Sequence, residues 1–361
     1  MTFFLPFGSR LTVDLAALVA NWRLMDARAR PGRAGAVVKA DAYGLGAAPV
    51  SKALWQAGCR AFFVAFPQEG AELAAHLPDA EIFVFNCIDD TGLATCRDLG
   101  LIPILNSTTE TGWWLKHAAK PAALMIDTGM NRLGLTEAEA LICAGHYSPR
   151  LVLSHLACSD EPDHAMNTAQ TQSFQRVVSA FAQSESSLAN SGGHFHEPVS
   201  GLSRPGIALY GGAPVNDAAN PMRPVATLEA RITQIRRASA GETVSYGATQ
   251  MLARDSLIAV AAIGYADGYP RAASASGVPL RADGSPGGTG FINGRRVPIL
   301  GRVTMDAVLF DVTDCTDAKP GDWIELFGKN IPLDEAASVA GTISYEMLTA
   351  LGRRIERCFL S

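Results

Sequence analysis

The 361-residue sequence lacks the patterns of membrane-spanning, secreted and disulfide-rich proteins. Its seven cysteines include no Cys-x-x-Cys pair, and a scattered odd number fits a reducing compartment better than a disulfide framework. No apolar run approaches the roughly 20 residues that cross a bilayer. The chain starts MTFFLPFGSR, with no basic residue before a short apolar run, so we expect no signal peptide. These absences predict a soluble, cytoplasmic protein.

Composition excludes further classes. Charged residues make up only 18% and hydrophobic residues 48%, so a large core is available and disorder is not expected. The net charge of −5 argues against nucleic acid or anionic membrane as a partner. A Gly-x-Gly-x-x-Gly fingerprint after an early strand is also absent, which disfavours an open doubly wound sheet. The length itself suggests two or three domains.

Short apolar runs alternate with helix-like stretches through the first 225 residues. A first helix is predicted to begin near residue 13, and eight apolar runs follow, at residues 36–39, 62–66, 82–85, 102–105, 123–126, 151–154, 187–190 and 207–210. Such alternation indicates βα units with parallel strands, and eight strands close a (β/α)8 TIM-type barrel. We therefore predict an α/β fold with a barrel domain over residues 1–225, whose first ten or so residues can pair with a second domain. An open doubly wound sheet is the alternative.

The pattern changes from about residue 226. Strand-like runs at residues 227–236, 257–264, 289–292, 297–301, 307–312 and 323–326 are separated by turns rich in glycine, proline and aspartate. Short strands joined by such turns predict a mostly antiparallel β domain over residues 226–361. A helix is expected near its end, at residues 333–339 and again at residues 345–351.

Polar residues follow the predicted barrel strands, where barrel enzymes place their chemistry. They are Lys39, Arg132, His155, Asn190 and Ser191, and Arg204 lies just before the eighth predicted strand. Lys39 is the most informative, because an amine at the mouth of a buried strand loses solvation and its pKa falls. A free amine near neutral pH is what Schiff-base chemistry requires. Taken alone, Lys39 is better explained as an ordinary lysine that extends from a strand end to solvent.

Eight motifs occur in an order and spacing that resembles the alanine racemase family. They are VVKADAYGLGA, DTGMNRLG, SHLACSDEP, ANSGG, RPGIALYG, VSYGATQ, IGYADGYPR and GRVTMDAV. The resemblance covers nearly the whole chain, and eight motifs in register are far more specific than any one of them. It implies a pyridoxal 5'-phosphate (PLP) enzyme built from a barrel and a β domain.

The resemblance also implies which residues contact the cofactor. They are Lys39, Tyr43, His155, Asn190, Ser191, Arg204, Gly206, Ile207 and Tyr345. Lys39 would carry PLP covalently, and hydroxyl and backbone N–H groups of this set would bind the phosphate. Arg204 would face the pyridine nitrogen, with His155 alongside the ring and hydrogen-bonded toward Arg204. Because a guanidinium keeps its proton, it would leave that nitrogen largely unprotonated and the ring a weaker electron sink.

Racemisation needs an acid and a base on opposite sides of one carbon. The resemblance assigns Lys39 to one side and Tyr246 to the other, and it assigns substrate contacts to Arg132, Tyr265, Met305 and Asp306. In the family the β-domain residues come from the partner subunit, which implies a homodimer with shared active sites. A narrow access corridor for small substrates has matches in Asp160, Tyr265, Arg271, Arg302 and Ile343.

One position departs from the family pattern. Many members have a carbamylated lysine seven residues before the arginine that matches Arg132, and Met125 stands there instead. Asn131 also replaces a common glycine, and Thr304 replaces a frequent cysteine. We therefore expect chloride, or Asn131 itself, to hold Arg132.

The resemblance implies an enzyme that interconverts L- and D-alanine by two-base proton transfer and supplies D-alanine for peptidoglycan. The rivals are a broader-specificity amino-acid racemase on the same scaffold and a non-catalytic PLP-binding barrel. A PLP-dependent decarboxylase is disfavoured by the Tyr246 motif. His194 and His196 have no convincing further ligands, so we predict no metal site.

Overall fold

The structure is a computed structural model that describes residues 7–118, 120, 122–196 and 201–361. Within these ranges the chain forms two compact units. The barrel unit is Leu18–Arg223, and the β unit combines the described residues up to Ala17 with Pro224–Ser361. None of the helices in the described ranges has both the length and the apolar character needed to cross a bilayer.

Parallel strands form the centre of the barrel unit. Seven make one sheet in chain order: Ala36–Val37, Ala61–Val64, Glu81–Val84, Ile102–Leu105, Ala123–Met125, Leu151–Leu153 and Glu185–Ser187. An eighth, Leu202–Ser203, pairs in parallel with Arg33–Ala34, just before the first strand of the sheet. The N–H of Arg204 donates to the carbonyl of Ala189 at 2.9 Å, which joins the seventh and eighth positions. The predicted barrel is confirmed.

Helices alternate with these strands. Their bounds are Leu15–Arg28, Ala47–Ala57, Pro67–His76, Asp90–Leu99, Thr108–His117, Glu137–Ala144 and Ala165–Ser179, with 3-10 turns at Gly192–Phe195 and Ile207–Tyr210. Several helices start where the sequence supplies a capping side chain. Asp89, Ser107 and Thr136 each accept an N–H of the following first turn, which satisfies a donor that the helix itself leaves unpaired.

Three strand predictions were wrong in detail, and one of them is the seventh strand, which is Glu185–Ser187 rather than residues 187–190. The run at 207–210 is a 3-10 turn, and Leu202–Ser203 takes the eighth strand position. All four residues of that turn are buried, and a short apolar run reads alike as a buried strand or a buried helical turn. The first strand ends at Val37, so Lys39 lies beyond the strand rather than at its last position.

A closed ring of ion pairs lies at the amino ends of the barrel strands. Arg33 and Arg150 alternate with Glu81 and Glu185, and each arginine donates to both carboxylates at distances of 2.6–3.0 Å. All four side chains are partly buried. The ring lies at the end of the barrel opposite Lys39, so it contributes to stability and not to the candidate site.

The β unit contains one eight-stranded, mostly antiparallel sheet. Its strand order is Ser256–Ala261, Val308–Asp311, Arg295–Leu300, Thr289–Ile292, Trp323–Phe327, Ala226–Ala238, Ser9–Asp14 and Glu356–Leu360. The long strand Ala226–Ala238 also pairs with Ser256–Ala261, so the sheet curls back on itself. Shorter elements are the hairpin Thr243–Val244 with Gln250–Met251, the helices Leu333–Val339 and Ser344–Thr349, and 3-10 turns at Tyr246–Ala248, Tyr265–Asp267, Arg271–Ala273 and Pro279–Arg281.

The amino-terminal strand Ser9–Asp14 is antiparallel to Ala226–Ala238 and parallel to Glu356–Leu360. Residues 1–6, part of the segment expected to pair with the second domain, lie outside the described residues. The strand Glu356–Leu360 was not predicted, because its charged and apolar residues give only a weak strand pattern.

Candidate active site

A left-handed helical turn follows directly after Lys39. Ala40, Asp41, Ala42 and Tyr43 have φ values of 53–57°, and Gly44 follows at 83°. A left-handed helix of L-residues costs about 1–2 kcal/mol per residue, and none of these four is glycine. Such a turn exists only where the surrounding structure stabilises it.

Backbone and aromatic contacts stabilise part of the turn. The N–H of Ala42 donates to the carbonyl of Val38 at 2.9 Å, and the N–H of Gly44 donates to that of Ala40 at 2.8 Å. The buried ring of Tyr43 lies 4.7 Å from that of Tyr210. The bond from Ala42 to Val38 closes the start of the turn across Lys39, and the contacts of Gly44 and Tyr43 anchor its end.

Lys39 faces a cavity at the carboxyl ends of the strands. The cavity has a volume of about 270 Å³, and its lining includes Lys39, Phe85, Asn86, Met125, Arg132 and His155. The ammonium nitrogen lies 5.8 Å from the centre of the Phe85 ring. Burial lowers the pKa of Lys39, and the positive charge of Arg132 lowers it further, against an opposing effect of Glu69. The expectation of an amine with a depressed pKa therefore agrees with the structure.

Arg204 is a buried guanidinium without a carboxylate partner in the described structure. One terminal nitrogen donates to the carbonyl of Ser187 at 2.9 Å and the other to that of Ser154. Its Nε is buried and has no acceptor among the described residues. Burial lowers the pKa of Arg204 to about 9, with a smaller contribution from Arg132, so the group stays charged at neutral pH.

His155 lies beside this guanidinium, as expected. Nη2 of Arg204 is 3.4 Å from Nδ1 of His155. Because a guanidinium can only donate, Nδ1 accepts and the imidazole proton belongs on Nε2. Burial and then the charge of Arg204 lower the pKa of His155 to about 3. The imidazole is therefore neutral at physiological pH.

A cluster of donors suited to an anion lies near the eighth strand. The hydroxyl oxygen of Ser191 accepts N–H bonds from Gly206 at 2.9 Å and Ala208 at 3.3 Å. A Cβ on Gly206 would lie only 2.4 Å from the hydroxyl oxygen of Tyr43. The structure thus brings together Tyr43, Ser191 and Gly206, with Ile207 following in the same turn. Hydroxyl groups, backbone N–H groups and a position open only to glycine are typical of a phosphate site.

Asn190 has a local role in the described structure. Its side-chain oxygen accepts the N–H of Gly193 at 3.1 Å. This bond stabilises the 3-10 turn Gly192–Phe195, directly after Ser191. Asn190 therefore supports the loop that carries the serine.

Arg132 borders the same cavity, and Asn131 does not hold it. The backbone N–H of Asn131 donates to Asp127 at 3.2 Å, and Asn131 has a φ of 55°. Over the described ranges, no side chain bonds the guanidinium of Arg132. The expectation that Asn131 holds Arg132 was therefore wrong.

The remaining expected residues belong to the β unit. Tyr246 is 72% exposed and Met305 53% exposed, and Tyr265 and Tyr345 also expose much of their surface. Asp306 accepts a hydrogen bond from Arg354 at 2.8 Å. Such exposure of large apolar and phenolic side chains marks a surface suited to contact with another molecule.

The expected corridor residues are divided between the units. Asp160 belongs to the barrel unit and accepts a hydrogen bond from Asn216 at 2.8 Å. Arg271, Arg302 and Ile343 belong to the β unit with Tyr265. Ile343 is exposed, and the Nε of Arg302 is buried without a partner in the described part of the chain.

Sequence reasoning missed one residue of the site. That residue is Glu69, which has no proposed part in the reaction. Its carboxylate accepts a hydrogen bond from the backbone N–H of Ala40, next to Lys39. A signal was present, because a glutamate three residues into a helix that follows a strand is a typical capping residue. By contrast, His194 and His196 do not converge: His194 is buried, and His196 lies 3.2 Å from the carbonyl of Ser159.

Both units match known family models. The alanine racemase N-terminal domain matches residues 13–214, and the alanine racemase C-terminal domain matches residues 225–359. The chain belongs to the alanine racemase family. Its similarity to individual alanine racemases extends over almost their whole length.

Two relatives and one solved structure illustrate this. A biosynthetic alanine racemase of Agrobacterium fabrum is 52% identical over 97% of this chain and 93% of its own length. An alanine racemase of Rhizobium meliloti is 48% identical over 99% of this chain and 98% of its own length. The crystal structure of alanine racemase from Bartonella henselae, which has covalently bound pyridoxal phosphate, is 37% identical with a TM-score of 0.89 and covers 98% of this chain and 100% of its own.

Proposed function

We propose that this protein is a PLP-dependent alanine racemase that interconverts L- and D-alanine. The observation that carries the proposal is the convergence of three groups at one barrel end, within a chain of this family. They are the desolvated amine of Lys39, the buried guanidinium of Arg204 and the anion cluster of Ser191 and Gly206.

These residues fit pyridoxal phosphate. Lys39 would bind it covalently, the cluster of Tyr43, Ser191 and Gly206 would take the phosphate, and the remaining N–H of Arg204 would meet a ring nitrogen that accepts. When bound, the cofactor supplies an electron-accepting ring that acidifies the Cα–H of an amino acid. Arg204 keeps its charge and His155 stays neutral, so neither gives a proton to the ring nitrogen easily.

Proton transfer at Cα requires two groups of this protein. We assign one to the amine of Lys39 and the other to the phenol of the partner subunit's Tyr246. The exposure of Tyr246 supports its access to another chain. We assign the substrate carboxylate to Arg132, which lines the cavity and has no partner in the described structure. Tyr265, Met305 and Asp306 are proposed as the partner's further substrate contacts.

The activity is tested on purified protein supplied with PLP. We expect an absorbance band at about 420 nm that disappears on borohydride reduction. The reduced cofactor should then be found on the peptide that contains Lys39. A racemase assay across small amino acids should then favour alanine. Cofactor on another lysine would refute the assignment, and equal rates with larger amino acids would favour the broader-specificity racemase.

A homodimer follows from the assignment of Tyr246 to the partner subunit. Two-fold dimers are the commonest soluble homo-oligomers, and the exposed apolar and phenolic side chains of the β unit support one here. Activity and dimer mass should fall together on dilution, measured by assay and mass photometry. A fully active monomer would contradict this arrangement.

Chloride near Arg132 is proposed in place of the family's carbamate. Met125, at that position, is uncharged and lines the same cavity as Arg132, so the guanidinium lacks a local anion. Crystals grown in bromide should show an anomalous peak beside Arg132. An acidic group of the partner subunit bonded to Arg132, with no bromide peak, would refute the ion.

The proposed biological role is the supply of D-alanine for peptidoglycan in the cytoplasm. Support comes from the similarity to an alanine racemase named biosynthetic. Expression of the chain should restore growth of a bacterial strain that requires added D-alanine. Failure to restore growth by a soluble, active protein would argue for another role.

A further inference from the structure

The carboxylate of Glu69 connects two strand ends at the mouth of the barrel. One oxygen accepts the N–H of Ala40 at 2.7 Å. The other accepts the N–H groups of Ala65 at 2.6 Å and Phe66 at 3.3 Å. Ala40 follows the first strand and Ala65 follows the second, so a single side chain joins two βα units.

This pattern exceeds the usual role of a capping glutamate. Glu110 occupies the same position in the fourth βα unit, and its carboxylate accepts the N–H of Asn106 at 2.7 Å. Among the described residues, Glu139 likewise bonds Thr136 alone, at the start of its own helix. Glu69 caps its helix in the same way and, in addition, reaches across to the residue after Lys39.

The contact with Ala40 fixes the peptide plane that Lys39 shares. The N–H of Ala40 and the carbonyl of Lys39 belong to one planar peptide unit. Ala40 is also the first residue of the left-handed turn, whose conformation is intrinsically unfavourable. A hydrogen bond to a charged carboxylate is stronger than one to a neutral acceptor, so Glu69 stabilises the turn at its start.

We propose that Glu69 is a positioning residue for Lys39, because its carboxylate anchors the left-handed turn to the end of the second strand and so fixes the direction of the amine. This proposal rests on the proposed function in one respect, namely that Lys39 binds PLP. The anchoring of the turn itself is independent of that function and can be measured separately.

Two variants separate anchoring from folding. Glu69→Gln keeps the size of the side chain but replaces one of the two carboxylate oxygens with an NH2 group. That group cannot accept a hydrogen bond from the backbone N–H that the oxygen bound. Glu69→Asp keeps a charged cap for the helix while shortening the reach to Ala40. The matched control is Glu110→Gln, which removes the same kind of cap in a βα unit that does not contact Lys39.

Amide hydrogen exchange of the full-length protein, with and without added PLP, tests the anchor. We expect at least tenfold faster exchange over residues 40–46 in both Glu69 variants. Glu110→Gln should accelerate exchange near Asn106 and leave residues 40–46 as in the wild type. If Glu69→Gln fails to fold, Glu69→Asp decides the outcome.

The orientation of Lys39 is read from the cofactor. In both Glu69 variants, the visible circular dichroism per bound PLP should fall at least twofold, whereas Glu110→Gln should keep the wild-type signal. Wild-type exchange and wild-type dichroism in the Glu69 variants, or the same changes in Glu110→Gln, would overturn the proposal. If the wild type binds no PLP, the proposed function fails, and the exchange measurement still decides whether Glu69 anchors the turn.

Discussion

Replacing His194 with leucine should make the protein less sensitive to acid. His194 is only 3% exposed, and neither ring nitrogen has a hydrogen-bond partner in the described part of the chain. Burial, and secondarily the charge of Arg28, lowers the pKa of His194 from 6.5 to about 4. The imidazole is therefore neutral when folded at pH values where it is charged when unfolded.

This difference in pKa determines how the stability of the protein changes with pH. Between the two pKa values the unfolded chain binds a proton that the folded chain does not, so stability falls as the pH drops from 6.5 toward 4. At pH 5 the two pKa values correspond to a loss of about 2 kcal/mol relative to pH 7.5. Leucine removes this contribution, and His155, whose pKa is also lowered, affects both proteins equally.

Thermal unfolding of both proteins at pH 7.5 and pH 5 measures the effect. If the 361-residue chain unfolds in one step, about 2 kcal/mol corresponds to about 3 °C. Between pH 7.5 and pH 5, the melting temperature of the wild type should therefore fall about 3 °C further than that of His194→Leu. The exposed His76, changed to leucine, is the control and should lose as much as the wild type. Parallel losses in all three proteins would show that His194 is not buried in neutral form.

Three further changes test the site and the barrel. Tyr246→Phe should slow exchange of the Cα proton of L-alanine at least about 100-fold more than that of D-alanine, measured by deuterium incorporation; equal slowing would contradict the two-base assignment. Burial raises the pKa of Glu185, but hydrogen bonds from the ring arginines outweigh it and leave the pKa below its usual value. Glu185→Gln should therefore cost about 2 kcal/mol at neutral pH and less in acid, by urea unfolding; a change no larger than that of exposed Asp98→Asn would argue against the ring. Gly206→Ala would place a Cβ 2.4 Å from the hydroxyl oxygen of Tyr43 and should weaken PLP binding at least about tenfold, by equilibrium dialysis, whereas unchanged affinity would exclude a crowded phosphate site.

Most of the architecture was predictable because its signals are local. Apolar runs of four residues alternating with helix-like stretches indicate βα units wherever they occur. The same logic placed Arg132 and His155 beside Lys39, since all three follow barrel strands. The eighth strand was misplaced because the apolar turn at 207–210 has the same local pattern as a buried strand.

The contacts that complete the site were not predictable in this way. The left-handed turn after Lys39 contains no glycine to announce it, and its partner Glu69 lies 29 residues beyond Ala40. The absence of a partner for Arg132 over the described ranges likewise depends on the whole surroundings of one side chain. No pattern in neighbouring residues encodes these relationships.

The sequence by itself determined the order of strands and helices, the family and the residue types available for chemistry, because each depends on short stretches of chain. Only the tertiary structure decided the conformation around Lys39, the orientation of His155 and Arg204 and the closed ring of Arg33, Glu81, Arg150 and Glu185. These features depend on contacts between segments that are distant in the sequence. An unfavourable backbone conformation or a buried charge is tolerated only where such contacts supply its hydrogen bonds.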